Sequence, residues 1–307
     1  MSLTLLEASK LSQDTLQRGV IETFARTSSI LELLPFMEIA GNAYAYNQEG
    51  ALPGIGFRDV NEGYNESTGI INPASEKLYI AGGDVDVDRF IVQTRSNIND
   101  VRAIHTEMKA KALSLAITNQ FFNGDQAVDA KGFDGLKKRL SGGQVISAGE
   151  NGANLTQDMI DELIDAVEGD PSALFVSKAM RREFNKLLRE STHYIENGAD
   201  AFGRPVSTYY GIPIRTVETD QSGNEILGFN ETVGTAKDTG SVYAVRFGPE
   251  QYVSGLQNGG VSVRDLGELD SKPVFRTRIE WYAGMAVFHP RAAARLKGVI
   301  KKPEVRK

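Results

Sequence analysis

The chain has 307 residues, of which 41% are apolar and 24% charged, and it contains no cysteine. This length predicts about two domains with a sizeable core, and the absence of cysteine excludes disulfides, thiol catalysis and cysteine metal sites. The formal net charge of −6 argues against an extended nucleic-acid-binding surface, so any contact with nucleic acid would be local.

The first part of the chain, residues 1–26, is polar with scattered apolar residues. Its short helical pattern offers too little apolar surface to anchor a free segment, so we interpret residues 1–26 as an arm that lies on another surface.

The sequence shows neither a secretory start nor an apolar run long enough for a membrane span, and we expect assembly in the cytoplasm. Residues 30–39 are densely apolar, and residues 42–46 alternate like a strand.

Residues 48–83 are rich in Gly and Asn and poor in side chains of the kind that form a core. Structureless insertions of this length are uncommon inside compact domains, so the segment is either disordered or held by a partner. Strand-like pieces at residues 56–60 and 77–80 favour a long two-stranded hairpin laid across a neighbour. The next five residues, 84–88, alternate Asp and Val, which predicts a strand with three carboxylates on one face.

A long helix is the most secure element of the sequence. Asn99 or Asp100 would cap its start, Asn123-Gly124 would end it, and its length of ~35 Å would suit the spine of a domain. Apolar residues form two adjacent rows along it, the first being Val101, Ile104, Met108, Ala112 and Leu115 and the second Leu113, Ile117 and Phe121. One side of this helix is therefore predicted to be buried.

A second module follows glycines at 142–143 and 149–152. A helix over residues 155–167, capped at Thr156 or Asp158, precedes a buried strand at 173–176 and a helix that runs from its Ser177 cap to Arg189. Residues 190–209 are predicted to form a polar loop and residues 211–217 an edge strand containing Pro213. Strands are predicted at 241–247, 260–265 and 274–289, with a short helix at 291–296. Separated helices and strands of this kind are typical of an α+β fold.

Motifs that would carry chemistry are missing from the sequence. Its three histidines, His105, His193 and His289, have no second ligand at metal spacing, and Asp84, Asp86 and Asp88 lack the Gly and Glu of a calcium loop. There is no dinucleotide loop, phosphate loop or nucleophile elbow. We therefore expect no catalytic residue, no cofactor and no metal. The basic tail, residues 297–307, is interpreted as a solvated end, with weak contact to nucleic acid as the alternative.

Several segments, none specific alone, recur in an order that resembles a known family. They are Asn61-Glu62-Gly63, Phe122-Asn123-Gly124-Asp125, Gly135-Leu136, Ala173-Leu174-Phe175-Val176-Ser177, Tyr210-Gly211-Ile212-Pro213-Ile214, Val242 to Gly248, and Ile279-Glu280-Trp281-Tyr282-Ala283-Gly284. Together they resemble the major capsid proteins of tailed double-stranded DNA bacteriophages, whose fold also occurs in herpesvirus capsid floors and encapsulins. The resemblance covers nearly the whole chain.

The resemblance implies a division into four parts. These are an N-terminal arm (1–26), an extended loop (48–83), a peripheral domain with the long spine helix (27–47, 84–139 and 260–307) and an axial domain (140–259). In the family, axial domains meet at the centre of hexamers and pentamers, so the Gly-rich loop at residues 250–260 is the candidate for the axis. The candidate inter-subunit residues are Asn61, Glu62, Tyr64, Lys77, Tyr79, Glu250, Gln251 and Tyr252. Some relatives cross-link a lysine of the extended loop to an asparagine of a neighbour, but Lys77 has no convincing asparagine partner, so no cross-link is expected.

The implied function is that of a structural subunit of an icosahedral phage head enclosing double-stranded DNA. Its partners would be further copies of itself, a separate scaffolding protein, a portal and optionally a decoration protein, with weak contact to the packaged DNA and none to a membrane. An encapsulin-like compartment is the alternative within the same fold. A soluble enzyme or binding protein with a disordered 48–83 loop is the alternative from another class.

Overall fold

The computed structural model describes residues 3–4, 19–20, 23–24, 26–95, 101–190, 196–199, 203 and 205–301. The helices named here are α1 (Ser29–Leu33), α2 (Arg89–Arg95), α3 (Val101–Asn123), α4 (Leu136–Arg139), α5 (Gln157–Asp165) and α6 (Lys178–Glu190). The strands are β1 (Leu3–Thr4), β2 (Pro35–Glu38), β3 (Ala43–Ala51), β4 (Ile70–Lys77), β5 (Tyr79–Asp88), β6 (Val145–Ser147), β7 (Ala173–Ser177), β8 (Glu196–Ala199), β9 (Pro205–Tyr209), β10 (Ile212–Val217), β11 (Glu231–Val233), β12 (Ala236–Val245), β13 (Val253–Glu268), β14 (Val274–Val287) and β15 (Ala293–Ile300).

Three sheets organise the described residues. A five-stranded sheet has the order β1-β2-β13-β14-β5, and an eight-stranded sheet has the order β6-β15-β12-β7-β10-β9-β8 with β11 paired to β12. The third sheet is the isolated hairpin β3-β4. Helix α3 packs against β5 and β14, while α5 and α6 contact strands of the eight-stranded sheet. This arrangement confirms the predicted α+β class.

One apolar cluster joins the two large sheets. Trp281 of the five-stranded sheet lies 5.0 Å from Phe36 and 5.8 Å from Phe24, measured between ring centroids. Phe122 of α3 lies 5.7 Å from Phe175 and 5.1 Å from Tyr243, both in the eight-stranded sheet. Because these large side chains are fully buried, the two sheets share a core.

The N-terminal arm is described only in part. Val20 and Phe24 are buried in the core of their own subunit, so the end of the arm nearest α1 is anchored there. Leu3 and Thr4 of the arm form β1, which pairs with β2, so this part of the arm also lies on its own subunit. The other residues on which the arm interpretation rests, among them Leu16 and Ile21, lie outside the described residues. The predicted helix caps Asn99 and Asp100 also lie outside them.

The long helix is confirmed as α3, but the prediction for its first apolar row is wrong. Leu113, Ile117 and Phe121 of the second row are buried, whereas Ile104 is 44% and Met108 61% exposed. The helix turns its second row onto the sheets, where it packs with the aromatic core. Periodicity revealed two apolar rows but could not tell which one faces the sheet.

Several local signals are confirmed. Thr156 accepts a hydrogen bond from the Met159 amide at 3.4 Å and caps α5, and Ser177 accepts one from the Met180 amide at 3.1 Å at the start of α6. In β5 the valines at 85 and 87 are buried, and the alternating aspartates lie on the other face. Both kinds of signal depend on residues that are close in sequence.

Three predictions for the second half of the chain are wrong. The helix predicted at residues 291–296 is wrong, because residues 293–300 form strand β15, buried between β12 and β6, and this packing outweighs the helix propensity of Ala292, Ala293 and Ala294. The predicted polar loop contains the paired strands β8 and β9. Pro213 does not lie on an edge strand, since β10 pairs with both β7 and β9; it precedes the β7 ladder, which begins at Ile214.

The predicted loop at residues 250–260 is also largely a strand. Strand β13 begins at Val253, and Gly259 and Gly260 take positive φ angles of 76° and 66° where its register to β14 shifts. Residues 253–259 therefore belong to the five-stranded sheet, and β15 belongs to the eight-stranded one. The division into arm, extended loop, peripheral domain and axial domain stays a prediction. Within the described parts of the chain, no helix combines the length and apolarity that crossing a membrane requires.

Candidate inter-subunit surfaces

The extended loop is a hairpin with two distinct parts. Strands β3 and β4 pair antiparallel from Ala43 with Lys77 to Ala51 with Ile70. We call residues 52–69 the hairpin tip, and residues 43–48 and 72–78 the hairpin base. The predicted strand at 56–60 is wrong, since the tip is irregular. The predicted two-stranded hairpin is confirmed, but its strands are residues 43–51 and 70–77, so the first strand lies nearer the base than the predicted 56–60.

The hairpin tip exposes apolar side chains. Ile55 is 90% and Val60 87% exposed, and Phe57 is fully exposed, with Leu52 and Tyr64 also largely in solvent. A few local bonds shape the tip: the Ser67 hydroxyl donates to the Gly54 carbonyl at 2.8 Å, and the Arg58 guanidinium lies 5.2 Å from the centre of the Tyr64 ring. Large exposed apolar groups clustered on one segment are characteristic of a surface that contacts another protein.

The hairpin base, in contrast, packs on its own subunit through aromatic rings. Tyr46 lies 4.6 Å and Tyr44 6.1 Å from the Phe288 ring, next to a small buried cluster that includes Met37 and Leu256. The Tyr46 hydroxyl donates to the Val287 carbonyl at 3.1 Å. Burial, aided by the negative charge of Glu76, raises the pKa of Tyr46 to about 12. These contacts fix the direction in which the hairpin leaves the subunit.

An ion pair adds to this anchor. Arg139 at the end of α4 binds both carboxylate oxygens of Glu76 in β4, and its Nη2 atom lies 2.7 Å from Oε2. Its Nε atom donates to the Asp134 carbonyl at 2.6 Å. The side chains of Arg139 and Glu76 are 16% and 15% exposed, so this bidentate pair is largely shielded from water. Arg139 therefore connects the hairpin to the loop before α4.

The candidate residues of the hairpin divide between its two parts. Asn61 occupies the left-handed region at φ 71° in the exposed turn of the tip, and the Glu62 carboxylate accepts the Asp59 amide at 3.2 Å. Lys77 is exposed at the end of β4. Tyr79 instead points into its own subunit, with its ring 6.2 Å from Phe133, and burial raises its pKa. The structure thus brings Asn61, Glu62 and Tyr64 together at the tip.

The other candidates form a turn between β12 and β13. Glu250 and Gln251 are exposed, and Glu250 takes a φ of 60°. The Arg246 guanidinium carbon lies 4.0 Å from the centre of the Tyr252 ring, and the backbone carbonyl of Tyr252 accepts a hydrogen bond from the Phe288 amide at 3.0 Å. Since the Phe288 ring packs on Tyr44 and Tyr46, this turn lies beside the hairpin base. A role for the turn at a symmetry axis stays a prediction.

An open face of β5 and β14 carries a charge ladder that the sequence analysis did not assign. Arg276 binds Asp86 through two hydrogen bonds of 2.6 Å, and Arg278 binds Asp84 at 2.7 and 2.9 Å. These hydrogen bonds lower the pKa of both aspartates. The alternation of Arg276 and Arg278 in β14, opposite alternating aspartates in β5, was the available signal. Among the described residues, no cluster of three or more His, Asp and Glu has the arrangement of a metal site.

Comparison with known proteins identifies the fold. The chain superposes on the holo-SrpI encapsulin complex from Synechococcus elongatus PCC 7942 with a TM-score of 0.68 at 19% identity, covering 90% of this chain and 88% of that one. It superposes on the capsid of a native GTA particle with a TM-score of 0.64 at 12% identity (89% and 90% covered) and on Microbacterium phage Oxtober96 with 0.61 at 15% identity (89% and 91% covered). The chain therefore has the fold of shell-forming capsid and encapsulin proteins.

A sequence family model matches the first part of the chain. The family model of the major capsid protein GP7 matches residues 12–157, which include the hairpin and helix α3. No curated protein matches the sequence. The match to this family model and the capsid-type fold agree with the resemblance that the motifs predicted.

Proposed function

We propose that copies of this chain assemble into the hexamers and pentamers of an icosahedral bacteriophage head that encloses double-stranded DNA. The role is structural rather than enzymatic, and the site of action is the virion capsid after assembly in the cytoplasm of a bacterial host. A separate scaffolding protein and a portal are the further partners that this role implies, and a decoration protein is an optional one. The family match and the fold support the head-subunit role itself.

The observation that carries this proposal is the contrast between an anchored hairpin base and an exposed apolar hairpin tip. Moving a side chain such as Ile55, Phe57 or Val60 from water into a contact stabilises an assembly by roughly 1.5–3 kcal/mol before the costs of association. A segment that leaves its own subunit makes a heterologous contact, and such contacts close into rings when the rotation between copies allows it. Many modest contacts of this kind suit a shell.

The test replaces the tip, residues 52–69, by Asn-Gly. This dipeptide forms the two-residue turn that joins antiparallel strands, and the pair formed by Ala51 and Ile70 is retained. We expect the shortened subunit to keep the circular dichroism spectrum and urea midpoint of the wild type but to form no shells in electron micrographs.

A second variant keeps the length of the tip and changes Leu52, Ile55, Phe57 and Val60 to Ser. It separates loss of apolar contacts from loss of the loop, and we expect it to assemble as poorly as the shortened subunit. Shells of normal size from both variants would contradict the proposal. A wild-type chain that stays monomeric in size-exclusion chromatography at high concentration would instead favour the soluble enzyme or binding protein.

An encapsulin-like compartment is the second candidate function, and the similarity to the Synechococcus encapsulin, with its TM-score of 0.68, favours it. The contents of the particles distinguish the two. Nuclease-resistant double-stranded DNA and a portal at one vertex are expected of a phage head. Particles that contain folded protein and no DNA would contradict the phage-head function and support the encapsulin-like one.

A further inference from the structure

A cleft of about 380 Å³ opens between α1, α3, α6 and strands β9 and β10, on a different part of the molecule from the hairpin. Four cationic side chains line it, which are Arg26, Lys111, Arg181 and Arg215. Hydroxyl groups of Thr27, Ser29 and Ser207 lie between them. Cations and hydroxyls in this combination are the side chains that most often contact phosphate oxygens.

The negative charges in the cleft are already neutralised. Glu32 lies 3.2 Å from the Arg215 Nη2 atom in a buried pair, and Glu218 lies 2.6 Å from the Lys178 Nζ atom. Lys111 and Arg181, both exposed, are not needed to balance these two carboxylates. Counted over the part of the chain that the structure describes, the lining of the cleft therefore carries an excess of positive charge, within a chain whose net charge is −6.

The positive surface continues beyond the cleft along helix α6. Arg181 and Arg182 are exposed on this helix, and Arg181 belongs to both the helix surface and the cleft, while Lys178, one turn earlier, is paired with Glu218. A single phosphate would need only the cleft. Because the cationic surface continues from the cleft onto α6, it suits a longer ligand that carries several negative charges along its length.

We propose that this basic cleft and the adjoining surface of α6 bind the phosphate backbone of the enclosed double-stranded DNA, and that this side of the subunit faces the interior of the shell. The inference rests on the proposed head function. Duplex DNA presents one negative charge per ~1.7 Å of its axis, and cations on separate elements contact its backbone without reading sequence. A few such cations on each subunit hold the DNA weakly, so it can still leave the shell.

The test uses the full-length chain with Lys111→Gln and Arg181→Gln combined. A matched control changes Lys131 and Lys237 to Gln; both are exposed lysines outside the cleft, so the same charge is removed. Binding of unassembled subunits to a fluorescent 30-bp duplex is measured by anisotropy at about 50 and 200 mM salt. Shell formation is followed by electron microscopy, and urea midpoints confirm that each variant is folded.

If each side chain contacts one phosphate, the slope of log affinity against log salt falls by about 1.8 in the cleft variant, so the wild type loses about twelvefold more affinity across this salt range. The control keeps the wild-type slope. We expect the cleft variant still to form shells, because the hairpin makes the contacts between subunits. Wild-type slopes in the cleft variant would overturn the inference and leave the head function intact.

Two further outcomes would also overturn it. Binding of poly-glutamate in preference to the duplex, lost in the cleft variant, would assign the cleft to an acidic protein segment. A cryo-electron microscopy map with Lys111 on the outer surface of the shell would exclude contact with enclosed DNA. A wild-type chain that forms no shells at all would instead contradict the head function, while the anisotropy measurement would still test the affinity of the cleft for DNA.

Discussion

The hairpin base and the hairpin tip belong to one continuous two-stranded element, yet their surroundings are opposite. At the base, Tyr44 and Tyr46 pack on Phe288, and Glu76 is bound by Arg139. At the tip, Phe57 and its apolar neighbours contact no core. The packing of the base fixes where the hairpin points, whereas the contact of the tip with another subunit stays a prediction.

The difference between a packed base and an exposed tip has a physical reason. A hairpin without an anchored base would lose much conformational entropy on binding a neighbour, which would weaken the contact. A rigid base reduces that cost, while an exposed tip keeps its apolar area available for assembly. Subunit stability should therefore depend on the base and assembly on the tip, and the following predictions are ordered by their effect on the free energy of unfolding.

Phe288→Ala should have the largest effect. The ring is 8% exposed and supports both tyrosines of the base, so its removal should lower the free energy of unfolding by about 3–5 kcal/mol. Urea denaturation of the unassembled subunit measures the change. Phe90→Ala is the matched control, since Phe90 is 72% exposed and its loss should cost little. Equal effects of the two variants would show that the base is not anchored by this cluster.

Arg139→Ala should have the next largest effect, about 2–4 kcal/mol, because it leaves the Glu76 carboxylate shielded from water without its partner. Lys138→Ala is the control at the neighbouring position, since its pair with Asp125 is exposed and should contribute about 0–1 kcal/mol. Combining Glu76→Leu with Arg139→Met should restore most of the stability, as neither charge then remains. No recovery in this double variant would argue that Arg139 acts mainly through the Asp134 carbonyl.

Phe57→Ser should change the free energy of unfolding by less than about 0.5 kcal/mol, because the ring is fully exposed in the subunit. Its effect should appear in assembly instead, as a lower yield of shells in sedimentation and electron microscopy. Val128→Ser, at an exposed valine outside the hairpin, should alter neither property. A destabilised subunit with a normal yield of shells would reverse the roles assigned to base and tip.

Local signals predicted much of the fold. The extent of α3, the cap at Thr156 and the alternation in β5 follow from residues within a few positions of one another, so sequence reasoning found them. The tip candidates Asn61, Glu62 and Tyr64 followed from the resemblance, and the structure places all three in one exposed segment. Their contact with a neighbouring subunit stays a prediction.

Other features depended on partners distant in sequence. Residues 291–296 are rich in alanine and were predicted to be helical, but residues 293–300 lie between β12 and β6 as strand β15. Arg139 binds Glu76 across 63 positions of sequence, and no local pattern marks that pair. Residues 250–260 were predicted to be a loop because they contain several glycines. In the structure only the turn at Glu250 is a loop, since β13 pairs with β14 and β2 from Val253 onward, and no local pattern indicates that pairing.

The sequence by itself determined where helices and strands form along most of the chain, that one segment is too poor in core-forming residues to fold alone, and which family its motifs resemble. Only the tertiary structure decided which row of α3 is buried, where the hairpin is anchored and which cations share one cleft. The reason is that periodicity and capping act over a few residues, whereas burial and charge pairing depend on which distant segments the fold brings into contact.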